Sequence, residues 1–165
     1  MLMRVKADED VIIRLKALLS YQYGLEAGKA LEGRKVEVEF SPATGRIRKV
    51  YVDGKYFGSI RASDGYLLVG IEGAKLLLKH LPSDRYRVVV ARDAAPFIAR
   101  GRTVFCKHVL WVDPEIRAGD EVFVVDEKGR LLAVGRAILS GLEMSRSVKR
   151  GVCVKNRKSV GDYSL

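Results

Sequence analysis

With 165 residues, 48% of them hydrophobic, the chain can bury a real core, as one domain or as two small ones packed together. Its formal charge is +10 and its pI about 9.8, the electrostatic footprint of nucleic-acid binding. Charges at Arg4, Lys6, Asp8, Glu9 and Asp10 argue against a signal peptide, and no apolar run approaches a membrane span, so a soluble, cytoplasmic protein without membrane contact is expected.

In chain order, residues 8–19 read as a helix. Val11, Ile12, Leu15, Leu18 and Leu19 recur at spacings of three and four, and Asp8 or Asp10 supplies the N-cap. Gly24 breaks the regularity, and 25–31 forms a second short helix closed by Gly33. The period becomes two over 35–40, followed by a turn at Ser41-Pro42-Ala43-Thr44-Gly45 and strands over 46–52, 55–60 and 66–71, separated at Asp53-Gly54 and Asp64-Gly65. A helix over 72–80 and the joint Leu81-Pro82-Ser83-Asp84 end this part. It is a compact α+β unit. So short a joint predicts that the two halves pack together and move as one body.

Beyond residue 85 the strands crowd together. Residues 103–112 are β-branched and aromatic, turns follow at Asp113-Pro114 and Ala118-Gly119-Asp120, and a tight Asp126-Glu127-Lys128-Gly129 turn separates strands over 121–125 and 130–139. Such short connections exclude a parallel α/β sheet and suit a small antiparallel barrel or pseudo-barrel. The charge is uneven. Residues 1–84 carry fourteen basic and eleven acidic side chains, against sixteen and nine in residues 85–165.

No catalytic constellation stands out. Asp113, Glu115, Asp120, Glu121, Asp126 and Glu127 sit at strand ends and turns, where Asp is favoured for local hydrogen bonding. His108 lies in an alternating strand and reads as a surface or interface residue. Dispersed glycines at 129, 135, 141 and 151 mark barrel corners rather than a phosphate loop. Cys106 and Cys153 lack CxxC spacing, and His80 and His108 do not complete a zinc set, which needs about four ligands. Two buried, reduced thiols are expected, with a disulfide open should their strands lie side by side. No cofactor or metal is expected.

Arg87-Val88-Val89-Val90, Pro96-Phe97, Gly101, Val104-Phe105, Val109 and 113–117 stand in the order of a PUA domain, and Gly119 to Val122, Val124 to Asp126, Leu131 to Gly135, Glu143-Met144 and 151–155 continue it. The C-terminal half thus resembles this RNA-binding pseudo-barrel. Tyr21-Gln22-Tyr23-Gly24, Ser41, 44–48, Val50-Tyr51, Asp53-Gly54, Arg61, Asp64-Gly65 and Gly73-Ala74 resemble the pre-PUA segment of archaeal tRNA-guanine transglycosylases. That family exchanges guanine for a deazaguanine base in the archaeosine pathway. Its catalytic barrel and zinc site have no counterpart in these residues, and the Pro-Cys and Lys-Pro-Tyr signature of archaeosine synthases is absent.

The resemblance implies an α+β pre-PUA domain over 1–84 packed on a mainly β PUA pseudo-barrel over 85–165. It implies a non-catalytic RNA-binding protein linked to tRNA modification, with the tRNA acceptor arm or 3′ end as partner and a separate catalytic subunit as a further one. The alternative is a translation-associated factor on the small ribosomal subunit. In PUA domains the RNA surface surrounds the first helix, the loop after it and the following strand. Here these are residues 93–100, Gly101-Arg102 and the strand beyond, supported by the terminal strand.

The candidate RNA-binding residues are therefore Arg100, Gly101, Arg102 and Lys107, with Lys149, Arg150, Gly151, Lys155, Arg157 and Lys158 at the barrel's end. Gly101 reads either as a close approach for the sugar-phosphate backbone or as a helix cap. Phe105 and Trp111 alternate with Cys106 and Leu110, which predicts core packing; stacking on an unpaired base is the other reading.

Overall fold

The computed structural model describes residues 3–146 and 150–164 and divides the chain into two compact units, Met1–Leu81 and Pro82–Leu165. In the first unit, β1 (Arg4–Lys6) leads into α1 (Glu9–Tyr23) and a 3-10 helix (Leu25–Leu31). Then come β2 (Val36–Phe40), β3 (Ile47–Val52), β4 (Lys55–Ile60), β5 (Leu67–Val69) and α2 (Ile71–Leu78). The strands form one antiparallel sheet in sequence order. The N-terminal strand had no sequence signal. Its three residues are all exposed, so no buried alternation marked it.

Asp8 caps α1 by accepting a hydrogen bond from Val11 N–H at 2.9 Å. The helix runs one turn beyond residue 19, because Gln22 and Tyr23 still find buried places and only Gly24, at φ 97°, leaves the helical region. Leu15 and Leu19 lie in a core that also holds Val38, Val50, Phe57, Leu67 and Leu77. Gln22 has a specific task. Its Nε2 donates to Leu67 O at 3.0 Å and its Oε1 accepts from Leu67 N–H at 2.7 Å. The side-chain amide thereby satisfies the backbone of edge strand β5 as a neighbouring strand would.

The second unit contains β6 (Arg87–Val90), α3 (Ala95–Ala99), β7 (Val104–Phe105), a 3-10 turn (Cys106–His108) and β8 (Val109–Val112). It continues with β9 (Glu121–Val125), β10 (Leu131–Ala137), α4 (Gly141–Met144) and β11 (Val152–Ser159). The sheet order is β7-β11-β10-β9-β6-β8. Its two edges, β7 and β8, are joined by the 3-10 turn, so the sheet nearly closes on itself around Val88, Val90, Ile98, Val122, Val124, Leu132 and Val154. The protein thus combines an α+β unit with a mainly β pseudo-barrel. One pair, β6 with β9, is parallel, so the sheet is mixed and not wholly antiparallel. The excursion through α3, β7 and β8 supplies the long connection that a parallel pair requires.

The segment expected as one strand over 103–112 is divided by the 3-10 turn, and a second irregularity follows. Val89 pairs with Trp111 but Val90 with Val109, leaving Leu110 as an extra residue. Phe105 and Trp111 are consequently 44% and 43% exposed, which overturns their expected place in the core. The period of two fails wherever the chain inserts a turn or a bulge. The reading of Cys106 and Cys153 as separate reduced thiols also fails. β7 pairs directly with β11, the two Cα atoms lie 5.0 Å apart, and the cysteines form a disulfide across 47 residues.

Two buried carboxylates hold the barrel's corners. Asp113 accepts from Tyr86 N–H at 2.7 Å and Glu115 N–H at 2.9 Å, and Arg85 Nε lies 3.4 Å away. It thereby secures Tyr86 in the left-handed region, at φ 59°. Asp126 accepts from Lys128 and Arg130 N–H, each at 2.9 Å, and from Arg130 Nε and Tyr163 Oη, each at 2.8 Å. The β9–β10 turn and the C-terminal tail are thus tied to one side chain.

The disulfide closes a long loop, so reduction, or paired C106S and C153S replacement, should lower the second unit's stability by about 4 kcal/mol on loop-closure grounds. Equal denaturant midpoints with and without a reductant would refute this. Burial pushes the Asp126 carboxyl up, but hydrogen bonds from Arg130 N–H, Tyr163, the Arg130 guanidinium and Lys128 N–H outweigh it and hold it below the usual 3.8. A depressed folded value contributes stability above the unfolded one and loses it as pH falls through the folded one. Asp126→Asn should therefore cost about 1–3 kcal/mol near neutrality. Its deficit should shrink as pH falls below about 4, which unfolding titrations at several pH values would measure.

Candidate nucleic-acid interface

The candidate surface starts with the end of α3. Arg100 caps the helix, Gly101 N–H donates to Ile98 O at 2.9 Å and Arg102 N–H to Phe97 O at 3.1 Å. This is a Schellman closure, which requires the left-handed residue that Gly101 provides at φ 104°. A Cβ there would meet only Ser159 Oγ, at an ordinary 3.5 Å. Backbone conformation, not crowding, therefore accounts for the glycine.

The terminal strand fastens this loop. Asn156 Nδ2 donates to Arg102 O at 2.6 Å, and Gly161 N–H donates to Ala99 O at 2.7 Å. Farther along β11, Val154 pairs with Val104 and Val152 with Phe105, while Cys106 N–H donates to Gly151 O at 3.0 Å. The 100–102 loop and the strand leading to Lys107 are thus held by β11 and the residues flanking it, although up to 58 positions separate them in sequence.

Arg100, Gly101, Arg102, Lys107, Arg150, Gly151, Lys155 and Lys158 are exposed. Arg157 stands apart. It is half-buried, and its Nε donates to Glu121 Oε1 at 3.0 Å, so part of its charge is answered within the fold. Lys149 lies outside the described residues. Arg136 had escaped the sequence reading. It is exposed and is the register partner of Lys155 across β10 and β11, a proximity that only the pairing reveals. Phe105 was assigned to the core by alternation, yet it is exposed between Val104 and the turn that carries Lys107.

The acidic residues are committed locally. Asp120 accepts from Arg117 N–H at 2.9 Å, and Glu127 accepts from Arg92 N–H at 3.1 Å. Glu115 pairs with Arg85 at 2.6 Å, while Glu143 forms a capping box with Ser140. His108 lies in the 3-10 turn and is half-buried. Among the described residues, no group of three or more His, Cys, Asp or Glu side chains is placed to hold a metal ion, and no helix is long and apolar enough to cross a membrane. The arrangement offers exposed cations and an aromatic ring along a strand and a helix-terminal loop. That chemistry suits binding of an extended polyanion.

Comparison with known proteins gives the surface its context. Residues 13–84 match the patch-forming domain C2 of tRNA-guanine transglycosylase, and residues 86–160 match the PUA domain. The chain is 47% identical over 152 residues to the tRNA-guanine(15) transglycosylase of Pyrococcus abyssi, covering 92% of this chain and 25% of that protein. It is 40% identical over 157 residues to the transglycosylase of Methanobrevibacter smithii, covering 94% and 24%. It therefore spans about a quarter of the length of these curated relatives.

Among solved structures, a hypothetical protein from Pyrococcus horikoshii OT3 superposes with a TM-score of 0.73 at 28% identity, covering 97% of this chain and 96% of that one. A PUA domain protein from Thermoplasma acidophilum gives 0.72 at 26% identity, covering 97% and 95%. The chain is a PUA-domain protein that resembles, over nearly its whole length, the C2-plus-PUA region of archaeal tRNA-guanine transglycosylases.

Proposed function

We propose that this chain is a non-catalytic, cytoplasmic RNA-binding protein that takes tRNA by its acceptor arm or 3′ end and serves archaeosine-type tRNA modification. The division of labour would fall between residues 1–84 and 85–165, with the second part carrying the RNA surface. One observation carries the reading: β11, which bears exposed Lys155 and Lys158 and follows exposed Arg150, bonds the loop of exposed Arg100 and Arg102 and pairs with the strand that leads to exposed Lys107. Lys149 belongs to the same proposed set by sequence, and Arg157 supports it from its pairing with Glu121. The long identity to tRNA-guanine(15) transglycosylases supports tRNA as the ligand, and a separate catalytic subunit as partner.

Guanidinium and ammonium groups contact phosphates, which give affinity and orientation without reading sequence. Gly101 is exposed and carries no side chain to hold off the sugar-phosphate backbone, and Phe105 offers a face for one unpaired base. Binding should release counterions, so log K falls with log salt at a slope of roughly −0.7 to −0.9 per neutralised phosphate. Arg102→Ala and Arg150→Ala should each flatten that slope by about one unit and weaken different tRNAs alike. Phe105→Ala should lower affinity by about 1–3 kcal/mol, with the salt slope kept. Folded basic variants that bind tRNA as wild type does would place the RNA elsewhere. Incubated with tRNA and guanine, the protein should exchange no base; turnover would overturn the non-catalytic reading.

A further inference from the structure

The two hairpin tips of the first unit repeat one design. Between β2 and β3, Ser41 N–H donates to Arg46 O at 2.7 Å and Gly45 N–H to Ser41 O at 2.8 Å. Between β4 and β5, Arg61 N–H donates to Tyr66 O and Gly65 N–H to Arg61 O, both at 2.8 Å. Gly45 and Gly65 take φ values of 70° and 76°. The residue before each glycine closes its turn. Thr44 Oγ1 accepts from Arg46 N–H at 3.2 Å, and Asp64 Oδ1 accepts from Tyr66 N–H at 3.1 Å. Because β3 and β4 pair with Lys49 opposite Ser59, both tips project from the same end of the sheet.

Between the tips lies a cleft of about 860 Å³, lined by Ile47 and Ile60 together with Arg46, Arg48 and Arg61. Its single acidic lining residue, Asp64, is already engaged: Arg61 Nε donates to it at 3.0 Å, and the second carboxylate oxygen meets Arg61 Nη2. Arg46 and Arg48 are exposed at the rim. Hydroxyls of Ser41, Thr44 and Ser63 complete the polar lining. The cleft thus presents two cations beyond its one internal ion pair, hydroxyl donors, and an apolar floor. It is far wider than a single ion needs, and both of these cations stand on the β2–β3 hairpin, facing the Arg61–Asp64 pair of the other tip.

We propose that this cleft binds consecutive phosphate groups of an RNA strand, as a second anchor independent of the β11 surface. The apolar floor suits a ribose or base face, and Arg46 and Arg48 suit the flanking phosphates. Arg61 shapes the second tip through Asp64 and so positions that wall. The inference rests on the reading of the chain as RNA-binding, but it assigns a different unit and different residues.

The test uses the full chain, an intact tRNA, and the paired variant R46A/R48A, with R102A/R150A measured in parallel. The paired cleft variant should flatten the salt slope by about two units at an unchanged melting temperature, with the loss adding to that of R102A/R150A. If R46A/R48A keeps the wild-type slope while R102A/R150A flattens it, the cleft proposal falls and the β11 reading stands. If the cleft variant alone flattens it, the β11 reading falls and the cleft stands. If neither changes it, both fall. Pyrophosphate titrated against backbone amide resonances separates the phosphate sources. Shifts confined to 41–48 and 61–65 with an unaltered tRNA slope would assign the cleft to a small phosphorylated ligand and overturn an RNA strand. Displacement of bound tRNA by polyglutamate at matched ionic strength, lost in R46A/R48A, would assign it to an acidic peptide and overturn the proposal equally.

Discussion

The candidate surface depends on how closely β11 is seated against its neighbours. At Gly135 an added Cβ would collide with Lys155 O and lie 2.9 Å from the Asn156 Cα, so this crossing of β10 and β11 is possible only without a side chain. The register steps at the same place, between Val134 and Gly135. That step lets β11 bend, so one strand can pair with β7 at Val152 and Val154 and still bring Asn156 to Arg102 O. The α3 loop, the turn carrying Lys107 and the strand carrying Lys155 are therefore not three independent basic patches. Their spacing is set by the pairing of β11 with β7 and by the Asn156 side-chain bond to Arg102 O, and the Cys106–Cys153 link fixes the strand's N-terminal end.

How much of this was legible in the sequence follows from the kind of signal each element left. α1 was plain, because Val11, Leu15 and Leu19 share a buried face and Asp8 caps it. Its last turn was not, because Gln22 is a polar residue whose burial is explained only by the distant Leu67 backbone. The β2 to β5 hairpins were marked by glycines that the turns require at positive φ. Residues 103–112 misled for the opposite reason. Their β-branched and aromatic character suited a strand, but the 3-10 turn and the extra residue at Leu110 reset the inward phase twice. Phe105 and Trp111 therefore surfaced, and Cys106 turned inward to meet Cys153. No local pattern encodes that meeting, since it arises from the pairing of strands 47 residues apart.

The candidate site was legible as residue types and not as a surface. The glycine and arginines at 100–102 were recognisable as a helix end, and the Schellman closure explains them by backbone conformation alone. What sequence could not supply was Arg136 beside Lys155, or Glu121 against Arg157, because both depend on register.

That difference bears on how the +10 formal charge is expressed. In the second unit the carboxylates are largely bound to backbone N–H groups at corners or to nearby arginines. Asp113 and Asp126 are buried, Asp120 and Glu127 serve loop amides, and Glu121 answers Arg157. Acidic groups used in this way stabilise turns, and each is answered by its own local partners. Screening at physiological salt confines each charge to about 8 Å, so local composition, not the net total, sets the field a ligand meets. A fold that ties up its carboxylates in corners can therefore be positive at one surface without clustering basic residues in its sequence. The same logic operates at the hairpin tips, where Asp64 is committed to Arg61 and to the Tyr66 amide, leaving Arg46 and Arg48 to face the cleft.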